Sequence, residues 1–164
     1  MRFLGFAVVT GAAIVLGACG GEKAATTDTA AAAAPAAAPA AAPAAAGAMQ
    51  PITGATHEVK MVGDAQGYRF EPAEITAKPG DGIKFTFVSQ GPHNVAFDPA
   101  TVPAEFKAVM MGNMPEQQSE LSGKMLLAPG ESYTISLGGV APGTYEFHCT
   151  PHIAMNMKGK IIVQ

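Results

Sequence analysis

Strict period-two alternation constrains this chain more than any other feature. Ile83, Phe85 and Phe87 alternate with Lys84, Thr86 and Val88. Tyr133, Ile135 and Leu137 alternate with Thr134, Ser136 and Gly138, and Tyr145, Phe147 and Cys149 with Glu146, His148 and Thr150. Successive strand residues point to opposite faces, so this pattern predicts half-buried antiparallel strands with one face on a core. Lys160-Ile161-Ile162-Val163 predicts a closing strand. Turn chemistry separates the runs at Lys78-Pro79-Gly80-Asp81, Ala128-Pro129-Gly130 and Ala141-Pro142-Gly143. Short strands at this spacing predict an all-β sandwich. The stretch 99–125 breaks the pattern, and Pro103 to Met111 and Pro115 to Leu121 read as short helical turns on a long excursion.

The first fifty residues contribute nothing to such a core. Positions 24–50 hold 17 alanines in 27 residues and no Ile, Leu, Val or aromatic side chain. Pro35, Pro39 and Pro43 recur every fourth residue, and each removes a helical donor and clashes with the preceding turn. A disordered, extended Ala/Pro-rich linker over 19–50 is expected, and its residues 24–50 reach roughly 80 Å at most if they run as polyproline II. Residues 1–18 read as an export signal: Arg2 supplies the positive start, and Phe3 to Leu16 is apolar or small but too short to span a bilayer. The segment ends in Leu16-Gly17-Ala18-Cys19, which resembles the lipobox of bacterial lipoproteins and implies lipidation of Cys19. The expected location is outside the cytoplasm, anchored to the cell membrane or outer membrane, with the domain in the periplasm or on the cell surface. That leaves 51–164 as one folded domain. It carries eight Lys/Arg against eleven Asp/Glu, which gives no electrostatic reason for a nucleic-acid partner.

Chemistry concentrates after the third alternating run. Cys149 is the single thiol of the exported domain, since Cys19 is committed elsewhere, so no disulfide framework exists. It opens Cys149-Thr150-Pro151-His152-Ile153-Ala154-Met155-Asn156-Met157, a loop carrying a thiol, an imidazole and thioethers. Such a soft donor set selects copper, particularly Cu(I). A second imidazole would complete a trigonal His₂Cys plane, and His93 in Gly91-Pro92-His93-Asn94-Val95-Ala96-Phe97-Asp98 is the natural donor. A zinc site is disfavoured by the thioether and by the lack of a water-activating carboxylate.

With these residues in hand, 56–164 resembles the cupredoxins, the small blue copper proteins, and within them the plastocyanin and pseudoazurin group. The resemblance rests on Pro92-His93-Asn94-Val95, on Ala128-Pro129-Gly130-Glu131-Ser132-Tyr133, on Gly143-Thr144-Tyr145 leading to Cys149, and on the C-x₂-H-x₄-M spacing. It implies a Greek-key β-sandwich of about eight strands. It also implies one copper per domain, cycling between Cu(I) and Cu(II), with His93, Cys149 and His152 as ligands and Met157 as the weak axial ligand. Met155 competes for the axial place through amicyanin-like spacing, but Met157-Lys158-Gly159-Lys160-Ile161 fits the family register and Met155 does not. Asn94 is expected to pin the Cys149 loop by hydrogen bonding. His152 is expected to be the ligand nearest solvent, ringed by Gly91, Pro92, Pro151, Ile153 and Ala154.

The implied function is single-electron transfer between redox proteins such as cytochromes or membrane oxidoreductases, by a monomer that is not itself an enzyme. His148 stands where copper nitrite reductases and multicopper oxidases place a ligand to a second centre. The further histidines of those enzymes are replaced here by Asp98 and Thr150, so His148 reads as an outward residue of the strand. His57 has no partner pattern and reads as a surface or edge-strand residue. Met110, Met111, Met114 and Met125 keep open one alternative, a copper chaperone or storage lipoprotein.

Overall fold

A computed structural model describes residues 48–164. The signal segment, Cys19 and nearly all of the Ala/Pro linker lie outside the described residues. The strands are β1 (Thr56–Asp64), β2 (Gly67–Glu71), β3 (Glu74–Ala77), β4 (Gly82–Ser89), β5 (Ser132–Ser136), β6 (Gly143–His148) and β7 (Lys158–Val163). One sheet runs β2-β1-β4-β5 and the other β3-β7-β6. The alternation reports the core face correctly. Ile83, Phe85, Phe87, Tyr133, Ile135, Leu137, Tyr145, Phe147 and Cys149 are all buried. Phe70, Phe85, Phe97 and Phe147 fill the space between the sheets as a chain of edge-to-face pairs with centroids 4.7–6.2 Å apart. That is the favourable geometry for aromatic quadrupoles.

Strand direction departs from the antiparallel expectation in two places. β1 lies parallel to β4 (Thr56 opposite Gly82, Met61 opposite Phe87), and β3 lies parallel to β7. Alternation fixes which face a residue takes but carries no information about the direction of the neighbouring strand. Seven strands are named among the described residues. Where an eighth would run, His93 and Ala96 make only single bridges to Leu126, Ser122 and His148. The excursion forms one helix, α1 (Ala104–Asn113), whose Phe106 and Met110 face the core. The second expected turn, 115–121, is not helical. Tyr133 donates its hydroxyl proton to the Pro115 carbonyl at 2.7 Å, and Gln117 donates to the carbonyls of Met111 and Met114. Side chains thus replace a helical ladder. Among the described residues no helix is long and apolar enough to cross a membrane.

Candidate metal centre

The site forms where three chain segments meet at the end of β4. β4 delivers the chain through Gln90-Gly91-Pro92 to His93, which is fully buried and exchanges two backbone hydrogen bonds with Leu126. β6 ends at His148 and places Cys149 immediately beyond it, also fully buried. Ala96 and His148 exchange two backbone bonds, at 2.8 and 2.9 Å, which ties the His93 segment to the strand that carries the thiol. A short 3₁₀ turn over Thr150–Met155 then brings His152 back toward Cys149.

Three donors converge. Cys149 Sγ lies 3.4 Å from His152 Nδ1 and 3.7 Å from His93 Nδ1. All three donor atoms fall within 4.8 Å of one another, and among the described residues this is the only such group of His, Cys, Asp and Glu side chains. His93 Nε2 lies 3.2 Å from the Ser89 carbonyl. A carbonyl can only accept, so Nε2 carries the proton and Nδ1 turns a bare lone pair toward the sulfur. Burial holds the His93 and His152 imidazoles below the usual histidine range, hence neutral and able to donate lone pairs; for His152 the neighbouring His93 adds to this. Burial pushes the Cys149 thiol up. A metal entering there must displace the thiol proton, as thiolate ligation requires.

Asn94 sits beside this group, nearly fully buried. Its Oδ1 accepts the Thr150 N–H at 2.8 Å, and its Nδ2 donates to the hydroxyls of Thr150 and Ser122, both at 3.1 Å. The two methionines separate clearly: Met157 is fully buried and its carbonyl accepts the Cys149 N–H at 3.0 Å, whereas Met155 is 52% exposed. Gly91, Pro92, Ile153 and Ala154 lie on the surface around the site, and Pro151 is half-buried.

His152 is the member of the set nearest solvent, yet only 5% of it is exposed, against none of His93, Cys149 and Met157. Tyr68 of β2 stacks on its ring at a centroid distance of 3.7 Å and an interplanar angle of 11°. Tyr68 was not singled out from the sequence, and no spacing rule points to it. His148 is half-buried and lines a cavity of about 210 Å³ with Asp98, Glu146, Ile153 and Lys158. Burial lowers its pKa, opposed by the nearby Asp98 carboxylate. His57, expected without a partner, bonds through Nε2 to Asp81 Oδ2 at 2.8 Å. Met110 and Met114 pack in the core while Met111 is exposed, so these thioethers divide between interior and surface.

A two-sheet sandwich with two imidazoles and one cysteine at the end of its strands is the architecture of the cupredoxins. The comparisons agree. The profile of the family described as "Copper binding proteins, plastocyanin/azurin family" matches residues 57–164. Plastocyanin of Prochlorothrix hollandica is 38% identical over 114 residues, covering 70% of this chain and 77% of that one. Plastocyanin of Rumex obtusifolius is 37% identical, covering 65% of this chain and 99% of that one. A solved structure of a mutant fern plastocyanin aligns with TM-score 0.50 and 36% identity, over 65% of this chain and 99% of the other. The chain belongs to the plastocyanin/azurin family of copper-binding proteins. It is a copper-binding electron carrier of that family and not an enzyme.

Proposed function

We propose that the protein is a membrane-tethered single-electron carrier with a mononuclear type 1 copper site held by His93, Cys149, His152 and Met157. The observation that carries this is the convergence of the two Nδ1 atoms on Cys149 Sγ within a buried cluster. Two neutral imidazoles, a thiol that ionises on binding and a buried thioether residue form a soft, low-coordinate donor set, which suits copper. Bound there, copper supplies a one-electron couple between Cu(I) and Cu(II).

The rest of the mechanism lies in what the chain holds still. The Ser89 carbonyl fixes the His93 tautomer and aims its lone pair. Asn94 ties the Thr150 backbone and hydroxyl to the His93 segment, so the loop carrying His152 cannot swing away from Cys149. The Cys149 N–H bonded to the Met157 carbonyl closes the loop at its base. A donor set on such rigid supports rearranges little between oxidation states, which keeps the barrier to electron exchange small. Apolar surface at Gly91, Pro92, Ile153 and Ala154 suits brief docking with redox proteins such as cytochromes or membrane oxidoreductases. Lipidation at Cys19 would confine the carrier to a membrane surface outside the cytoplasm, where tethering raises its effective concentration near membrane partners.

The test is a copper titration of the full chain, read by visible absorption and electron paramagnetic resonance. One equivalent should give an intense blue band and narrow copper hyperfine splitting. Cys149→Ser should abolish both, and Met155→Leu should leave both in place. A colourless protein taking up several Cu(I) ions, with Cys149→Ser nearly silent, would sink the electron-carrier assignment. Detergent-phase partitioning of the expressed chain, lost in Cys19→Ser, tests the tether.

A further inference from the structure

The buried donor set is closed to solvent, yet a metal ion has to reach it. His93, Cys149 and Met157 are fully buried and His152 nearly so. The turn that follows Cys149 has two halves. His152 departs from helical backbone angles (φ −116°, ψ 18°) and breaks the stretch Thr150–Met155 in two. The first half is tied down: the Thr150 N–H donates to Asn94 Oδ1, and Asn94 Nδ2 donates to the Thr150 hydroxyl. The second half, Ile153-Ala154-Met155, is exposed, as is Asn156 after it. Ile153 and Ala154 offer no donor atom there, and Asn156 offers only a hard amide oxygen. Met155, 52% exposed, carries the one soft donor on this part of the loop. The copper site proposed above uses Met157 and leaves the Met155 sulfur without a role.

We propose that Met155 is the entry ligand for Cu(I): its thioether takes the ion from a carrier ligand in solution and hands it inward to Cys149 and the two imidazoles. Thioethers select Cu(I), whereas Cu(II) prefers nitrogen and oxygen donors. An exposed sulfur on the metal-binding loop therefore captures one oxidation state in preference to the other. Methionine suits a transient ligand, because its side chain is unbranched, flexible and ends near a polarisable sulfur. The transfer is ligand exchange with no redox change. The carrier ligand leaves as the Met155 sulfur binds, and the copper stays Cu(I) throughout. The Cys149 thiol then gives its proton to solvent as its sulfur replaces that of Met155. The proposal rests on the buried donor set being the copper site, and the two are read out separately.

The test uses the full chain carrying Cys19→Ser, in which Cys149 is the one remaining thiol. It is mixed anaerobically with the coloured Cu(I)–bicinchoninate complex, and uptake is timed by the loss of that colour. Uptake of Cu(II), supplied as the sulfate, is timed by the growth of the blue band. Met155→Leu removes the sulfur at nearly constant volume. It should slow Cu(I) uptake several-fold and leave the Cu(II) rate at the parent value. Met111→Leu removes a comparably exposed thioether on α1 (46%) and should take up Cu(I) like the parent. A Cu(I) rate in Met155→Leu equal to the parent's overturns the entry role. Equal slowing of Cu(I) and Cu(II) overturns it too, since that marks altered loop packing rather than a lost donor. So does equal slowing in Met111→Leu, since any surface thioether would then serve. Failure of the copper site itself would appear instead in the Cys19→Ser parent, which would develop no blue band.

Discussion

Asp81 shows how much structure one side chain can organise outside the metal centre. Its Oδ1 accepts the Ala55 N–H at 2.8 Å, and its Oδ2 accepts the Lys78 N–H at 2.9 Å and bonds His57 Nε2 at 2.8 Å. The side chain is only 9% exposed, and the His57 bond, followed by the Lys78 amide, holds its carboxyl below the usual aspartate range. A depressed folded pKa means stabilisation that is complete above the unfolded value. It is lost as the pH falls through the folded one. Asp81→Asn should therefore cost about 1–3 kcal/mol near neutrality. It should also flatten the loss of stability below about pH 4, as urea titrations across pH 3–7 would show. An equal acid slope in the variant would refute the assignment. At this scale the sequence was legible where partners are close in the chain. Cys149, His152 and Met157 share one loop, and a soft donor set with fixed spacing is a local signal. The His57–Asp81 bond spans 24 residues and the Tyr68–His152 stack 84, and nothing in either neighbourhood encodes the partner. They become visible only once the β1–β4 and β1–β2 registers are known.

At the scale of elements, the two sheets are held by aromatic contact and by close backbone approach. Phe147 on β6 touches Phe70 and Phe85 of the opposite sheet and Phe97 of the His93 segment, so it joins its own sheet to both. Phe147→Ala should cost about 3–5 kcal/mol, the usual range for emptying a buried aromatic site. The slope of the denaturant curve should stay unchanged, since the surface exposed on unfolding is nearly the same. Gly159 on β7 poses the opposite problem. A Cβ there would fall 2.7 Å from the Ala73 carbonyl oxygen, and its other near neighbour is the Phe147 ring. A backbone oxygen cannot rotate away, and the Lys160 N–H donates to that same carbonyl. Gly159→Ala should cost about 1–3 kcal/mol as an overpacking strain. Because β7 follows directly on Met157, it should also alter the visible spectrum of the copper-loaded protein. A thermal melt and an absorption scan together check both effects. The strands were legible because one face of each is buried, which forces strict alternation. Within 93–126 the helical turn at Pro103 to Met111 was legible, but the rest was not, because it is anchored by single bridges and side-chain bonds to carbonyls, which leave no periodic trace.

Across the whole molecule, the metal centre and the point where the N-terminal chain joins the fold occupy opposite ends. β4 begins at Gly82, ends at Ser89 and leads straight to His93. β5 pairs Ser136 with Gly82, so Gly138, two residues further on, lies past the far end of β4. Gln50 is packed there: a Cβ on Gly138 would lie 2.6 Å from Gln50 Cβ. Asn113, fully buried at the end of α1, fixes the arrangement. Its Oδ1 accepts the Gln50 N–H at 3.0 Å and its Nδ2 donates to the Gly138 carbonyl at 2.7 Å. One β4 length, about 3.3 Å per residue, puts roughly 23 Å or more between this end and the His93–Cys149–His152 cluster. The tether proposed at Cys19 would hold the carrier from this end and leave its metal-bearing face clear, with Asn113 fixing Gln50 in place there. A nitroxide on Met49→Cys, in a Cys19→Ser chain loaded with Cu(II), should therefore give a narrow copper–nitroxide distance distribution centred beyond about 20 Å. Asn113→Ala removes both bonds of the clip and should broaden that distribution while leaving the blue band in place. A centre below about 15 Å would contradict the opposed placement, which is about a third of a β4 length longer. A distribution equally narrow in Asn113→Ala would show that Asn113 does not set the exit point.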